Sequence, residues 1–83
     1  MDMQGYLETL VVNSNLNLSE VVIVKSEKGE FQIPYRNLIH SLSLLKPKQQ
    51  EIVLNSFTSV ENDPKGIVEL FKSFAQPLLK IKI

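Results

Sequence analysis

The sequence predicts a single compact α+β domain spanning residues 1–83, and two patterns predict that fold class. The β-branched run Val21–Val24 is followed by a polar stretch ending in Gly29 and by the alternating run Phe31–Ile33. This is the pattern of a β-hairpin. The rest of the chain is divided into three segments of helical length by Pro34, Pro47, Pro64 and Pro77. We therefore expect a hairpin packed against three to four helices.

The N-terminal residues 3–12 predict a short amphipathic helix. Their apolar side chains fall near helical spacing, at Met3, Tyr6, Leu7, Leu10 and Val11. Val11 and Val12 are β-branched, which disfavours a helix, and a strand is the alternative. The polar run Asn13–Asn15 should end the element, because such side chains compete for backbone hydrogen bonds.

All four side chains of Val21–Val24 are apolar, as is typical of a strand that is covered on both faces. We therefore expect this strand to be central, with Phe31–Ile33 on one side and a third strand on the other. The C-terminal run Leu79–Ile83 alternates apolar residues with lysines, as protected edge strands do. It is the candidate third strand, pairing within the chain or with a second copy, and a frayed terminus is the alternative.

Each proline-bounded segment carries an apolar stripe that predicts a core-facing helix. The stripes are Tyr35, Leu38, Ile39, Leu42 and Leu45 in the first segment, Ile52, Val53, Phe57 and Val60 in the second, and Ile67, Val68, Leu70, Phe71 and Phe74 in the third. Asp63 precedes Pro64 as an N-cap precedes a first-turn proline.

Composition and residue types argue against an enzyme. There is no cysteine, and His40 is the one histidine, without a carboxylate or nucleophile placed to work with it. A zinc site needs three or four ligands at suitable spacing. We therefore expect no catalytic residue, no metal and no cofactor. The acidic N-terminus and the lack of an apolar run of about twenty residues predict a soluble, cytoplasmic protein without a membrane partner.

Apolar residues are abundant for so short a chain, which makes a protein partner the expected ligand. Small domains leave much of their surface exposed. The partner that most commonly covers exposed apolar surface is a second copy of the same chain. The sequence therefore predicts a non-enzymatic protein–protein interaction or regulatory module, of adaptor or inhibitor type, that forms a homodimer. Its candidate partner-binding residues are Tyr35, Leu44, Leu54, Leu79, Ile81 and Ile83. A somewhat wide core face is the alternative interpretation of these side chains.

The alternative function is that of a small DNA-binding regulator. Leu45–Val53 resembles the opening of helix-turn-helix domains in some transcriptional regulators. The resemblance implies that helices within residues 47–76 contact DNA, with the hairpin as a wing. Nine basic residues balance nine acidic ones, so no positive surplus is available for phosphates. Nucleic acid is therefore the less favoured partner.

Overall fold

The structure, a computed structural model, describes the backbone of residues 2–82 and the side chains of residues 2–76. The elements in chain order are α1 (Met3–Asn13), β1 (Val21–Ser26), β2 (Gly29–Pro34), α2 (Tyr35–Ser43), α3 (Pro47–Thr58) and α4 (Pro64–Lys82). One antiparallel hairpin with four helices confirms the predicted α+β class.

The hairpin is closed by a two-residue loop, Glu27–Lys28, because Ser26 pairs with Gly29. Neither loop residue has a positive φ, whereas Gly29 has a φ of 126°. A residue with a side chain rarely adopts this conformation, so glycine is needed for its backbone freedom. A Cβ at this position would meet nothing within 4 Å, so the requirement is conformational and not a matter of space.

The core lies between the inner face of the hairpin and the helices. Val22 and Val24 of β1 are buried against it, and aromatic side chains from three helices meet at its centre. The buried set is Met3, Leu7, Leu10, Val11, Val22, Val24, Tyr35, Leu38, Ile39, Leu42, Val53, Phe57, Ile67, Phe71 and Ala75. Within the described residues, every buried side-chain nitrogen or oxygen has a hydrogen-bond partner.

The expectation that β1 is a central strand is wrong for the described chain. The sheet contains β1 and β2 alone within residues 2–82. Val21 and Ile23 are 41% and 45% exposed, whereas Val22 and Val24 are buried. Side chains alternate between the two faces of a strand, and the helices cover one of those faces. The β-branched run therefore has one buried face and one exposed face.

The prediction of a C-terminal strand is also wrong for the described residues, because α4 continues past Pro77 to Lys82. Proline has no N–H to donate to the carbonyl four residues earlier, which made Pro77 a reasonable helix end. Leucine and lysine are good helix formers, and a five-residue alternation is too short to separate strand from helix. Leu79 and Ile81 are therefore helical, and Ile83 lies outside the described residues.

The α2–α3 corner is fixed by one side chain. The Gln50 Nε2 group donates to the Ser43 and Leu45 carbonyls, at 2.9 and 2.8 Å. Ser43 is the last residue of α2, where carbonyls lack helical N–H donors, and Leu45 lies in the turn that follows, so the amide supplies donors to both. One stripe residue of α3 was misplaced by the sequence prediction. Ile52 is 62% exposed, because the side of α3 that faces the core is the one that carries Val53 and Phe57.

Candidate interaction surface

The outer hairpin face is the side of the sheet turned away from the helices. Its side chains are Val21, Ile23 and Lys25 from β1 and Glu30, Gln32 and Pro34 from β2. Three cross-strand pairs build it, in order from the base towards the turn: Val21 with Pro34, Ile23 with Gln32, and Lys25 with Glu30. The face is therefore apolar at its base and charged near the turn.

Within residues 2–82, one edge of β1 is paired with no other strand, and the hydrogen-bond pattern identifies the main-chain groups of that edge. The Tyr35 N–H donates to the Glu20 carbonyl at 2.9 Å, which continues the hairpin ladder by one pair. Hydrogen-bonded and non-hydrogen-bonded pairs alternate in an antiparallel ladder. The pairs of Val22 and Val24 with β2 are therefore the bonded ones.

It follows that the main-chain groups of Val21, Ile23 and Lys25 point away from β2. No hydrogen bond from another residue in the described part of the chain reaches these three N–H and three C=O groups. Exposed strand edges of this kind are templates for pairing with another chain.

The free edge of β2 is less suited to pairing. Pro34 has no N–H, and its position in a non-hydrogen-bonded pair places that missing donor on the free edge. The side chains next to this edge include Gln32 and Glu30, both exposed and polar. β1 presents valine and isoleucine instead, with a single lysine near the turn. Of the two edges, β1 is therefore the better template for another strand.

The predicted partner-binding residues are scattered over the described structure. Tyr35 is 4% exposed, and its ring packs edge-on against Phe71 with the centroids 5.2 Å apart. Burial, and secondly the negative charge of Glu20, raise the pKa of the Tyr35 phenol above its usual value. Leu54 is half-buried and packs on the core, whereas Leu44 is 72% exposed. The side chains of Leu79, Ile81 and Ile83 lie outside the described ones.

The sequence prediction missed Val21 and Ile23 as surface residues. Four consecutive β-branched residues conceal the alternation that a half-buried strand normally shows. The exposed Ile52 was assigned to the core-facing stripe for a related reason, because it lies beside the buried Val53 in its helix. The usable signal was on β2, where Gln32 and Pro34 interrupt the apolar run and indicate a polar outer face.

A groove of about 410 Å³ lies between α1 and the α3–α4 turn. The Tyr6 hydroxyl spans it and donates to Glu61 Oε2 at 3.0 Å. Two further hydroxyls of its lining, those of Thr9 and Ser14, donate to carbonyls of α1 itself. The groove is lined by Tyr6, Thr9, Leu10, Asn13, Ser14, Glu61, Asn62 and Pro64. The Tyr6–Glu61 hydrogen bond therefore links α1 to the α3–α4 turn, whereas the Thr9 and Ser14 hydroxyls bond within α1.

The described residues contain no group of three or more histidine, cysteine, aspartate or glutamate side chains that could hold a metal ion. His40 is exposed. Among the helices that the structure describes, none is long and apolar enough to cross a membrane. The exposed cations of the first four turns of α4 are Lys65 and Lys72, and Lys25 of the hairpin stands opposite Glu30.

No protein-family model, curated protein or solved structure matches this chain.

Proposed function

We propose that this chain is a small non-enzymatic protein–protein interaction module, of adaptor or inhibitor type, that acts as a cytoplasmic homodimer. The observation that carries the proposal is the β1 side of the outer hairpin face. There, two β-branched side chains, Val21 and Ile23, are exposed beside an unpaired strand edge. Apolar strand edges are sites at which other chains add.

Burial of these side chains supports association. Complete burial of a valine or isoleucine side chain is worth about 1.5–3 kcal/mol, and these two are already more than half covered. Each would therefore contribute about 1 kcal/mol per copy. The two side chains of both copies would together contribute about 4 kcal/mol. The loss of translational and rotational freedom on association costs at least about 4 kcal/mol, so the side chains alone do not hold a dimer together. A stable complex also needs the main-chain groups of the edge.

The first test is the mass of the 9.4-kDa chain in solution, measured by sedimentation over a wide concentration range. We expect a dimer whose stability changes little with salt, because an apolar and main-chain interface is not screened as exposed charges are. Ile23→Lys should give a monomer. Ile52→Lys is the matched control, since Ile52 is an exposed isoleucine on α3 and its change should leave the dimer intact.

A wild-type chain that stays monomeric at every concentration would refute the homodimer. Binding to duplex DNA that weakens steeply with salt, and that is lost in a Lys65→Ala/Lys72→Ala variant, would contradict the proposal as a whole. In that case the cations of α4, and not the hairpin, would carry the function.

A further inference from the structure

We infer that a second copy of this chain pairs with the free edge of β1, antiparallel, about a two-fold axis at Ile23. Two hairpins would then form one four-stranded sheet in the order β2–β1–β1–β2. The inference rests on the proposed homodimer and specifies the contact through which it forms. A closed two-fold contact of this kind uses the same surface on both copies.

The unpaired main-chain groups determine the register. Antiparallel strands bond through residues whose N–H and C=O groups point at each other, which on this edge are Val21, Ile23 and Lys25. In one register, Val21 of each copy faces Lys25 of the other, and Ile23 faces its own counterpart. Three pairs with two bonds each then use every free group on both edges. A shift by two residues in either direction moves one of the three partners outside the open edge.

The side chains agree with this register. On the outer face, Ile23 lies beside Ile23 of the second copy, at the centre of the new sheet. On the inner face, Val22 lies opposite Val24 of the second copy. Both valines are already buried in the single chain, so the newly covered apolar surface lies on the outer face. β-branched residues favour such cross-strand contacts, so the contact is apolar on both faces at its centre.

The charges favour the antiparallel arrangement over a parallel one. About the two-fold axis, the two Lys25 residues lie at opposite ends of the paired strands, four residues or about 13 Å apart. Parallel in-register pairing would place them side by side, where like charges repel. Pairing of β1 with β2 of another copy would be open-ended, and it would meet the missing donor of Pro34.

Cysteine cross-linking tests the register, because the chain contains no cysteine and each variant has a single thiol. Residues in a hydrogen-bonded antiparallel pair have Cα atoms about 5.5 Å apart, within the range of a disulfide. We expect Ile23→Cys to form a covalent dimer on mild oxidation. Val21→Cys alone should not, since its two copies lie about 13 Å apart. A mixture of Val21→Cys and Lys25→Cys should cross-link again. A short bis-maleimide serves as a second reagent, because it tolerates poor disulfide geometry.

Leu44→Cys is the control for random collision, since Leu44 is highly exposed and distant in sequence from β1. The inference requires Ile23→Cys to cross-link at least about tenfold faster than Leu44→Cys, as expected for a thiol held beside its own copy. Equal rates in a chain that is dimeric by sedimentation would overturn the edge pairing and leave the homodimer standing. A monomeric wild type would overturn both.

A charge exchange at the axis gives an independent readout. Ile23→Lys and Ile23→Glu should each weaken the dimer by at least about tenfold, because each places like charges together at the centre of the sheet. An equimolar mixture of the two variants should form a mixed dimer, since opposite charges then meet. If the mixture stays monomeric while the Ile23→Cys variant also fails to cross-link, Ile23 does not lie at a two-fold axis.

Discussion

Gly66 lies in the first turn of α4, and its replacement by alanine tests how closely α4 approaches the α3–α4 turn. A Cβ built at this position would stand 3.0 Å from the Val60 Cβ and 3.1 Å from its Cγ1. It would also stand 2.9 Å from Asp63 Oδ2. Ordinary carbon contacts are about 3.5–4.0 Å, so the added methyl group overlaps two side chains.

Two effects of opposite sign decide the outcome. Alanine is favoured over glycine in a helix by at most about 1 kcal/mol. Overpacking against a fixed neighbour costs about 1–3 kcal/mol. The Asp63 carboxylate is at the end of a flexible side chain and can rotate away, but the Val60 Cβ is attached directly to the backbone. The overlap with Val60 therefore wins, and we expect Gly66→Ala to destabilise the protein by about 1 kcal/mol.

Thermal unfolding followed by far-ultraviolet circular dichroism measures this change. A loss of 1 kcal/mol lowers the Tm of a domain of this size by about 4–8 °C. Val60→Ala supplies the control, because it removes Cγ1 and keeps the Cβ. In that background the cost of Gly66→Ala should fall without vanishing. A Tm that rises in the Gly66→Ala variant would show that helix propensity dominates and that the turn is not tightly packed against α4.

Three further substitutions test the contacts of individual side chains. Phe71→Leu should cost about 1–2 kcal/mol in urea unfolding, since it removes the aromatic contacts to Tyr35 and Phe57, whereas Leu44→Ala should be neutral. Gln50→Glu should cost about 1–3 kcal/mol by replacing a donor to two carbonyls with an acceptor, and the exposed Gln49→Glu is its control. The raised pKa of Tyr35 stabilises the fold fully below about pH 10, and this contribution is lost as the pH rises through the folded-state value. Tyr35→Phe should therefore show a smaller alkaline decrease in urea midpoint than wild type, and equal decreases would contradict the assignment.

The starts of most elements could be predicted because short local signals mark them. Gly29 supplies the positive φ that opens β2, and Pro34, Pro47 and Pro64 stand at or just before the first residue of a helix. Each acts through its own backbone, without help from distant residues. Pro77 carries the same local signal, but α4 continues through it. A local rule therefore predicts a boundary correctly only where the neighbouring residues do not favour continuing the helix.

The exposure of side chains was harder to predict, because it depends on which elements cover which face. Ile52 and Val53 are adjacent and equally apolar, yet one is exposed and the other buried. Tyr35 belongs to the predicted apolar stripe of its segment and is also a predicted partner-binding residue. Its ring packs against Phe71 from a distant segment, as the core-facing stripe predicts. The local pattern places both Ile52 and Val53 on the core face, and it leaves Tyr35 open between the core and a partner-binding surface. The candidate site could therefore be identified only after the helices had been placed.

The apolar run of β1 is a local signal that the single chain does not fully explain. Four consecutive β-branched residues are typical of a strand with neighbours on both edges and cover on both faces. Here β2 occupies one edge, and the segment predicted for the other edge is helical to Lys82. Pairing of β1 with its own copy would supply the missing neighbour and place Val21 and Ile23 at the centre of a four-stranded sheet. On this argument the apolar run of β1 suits a strand that is paired on both edges, as it is in the proposed dimer. In the monomer the same strand leaves one edge unpaired.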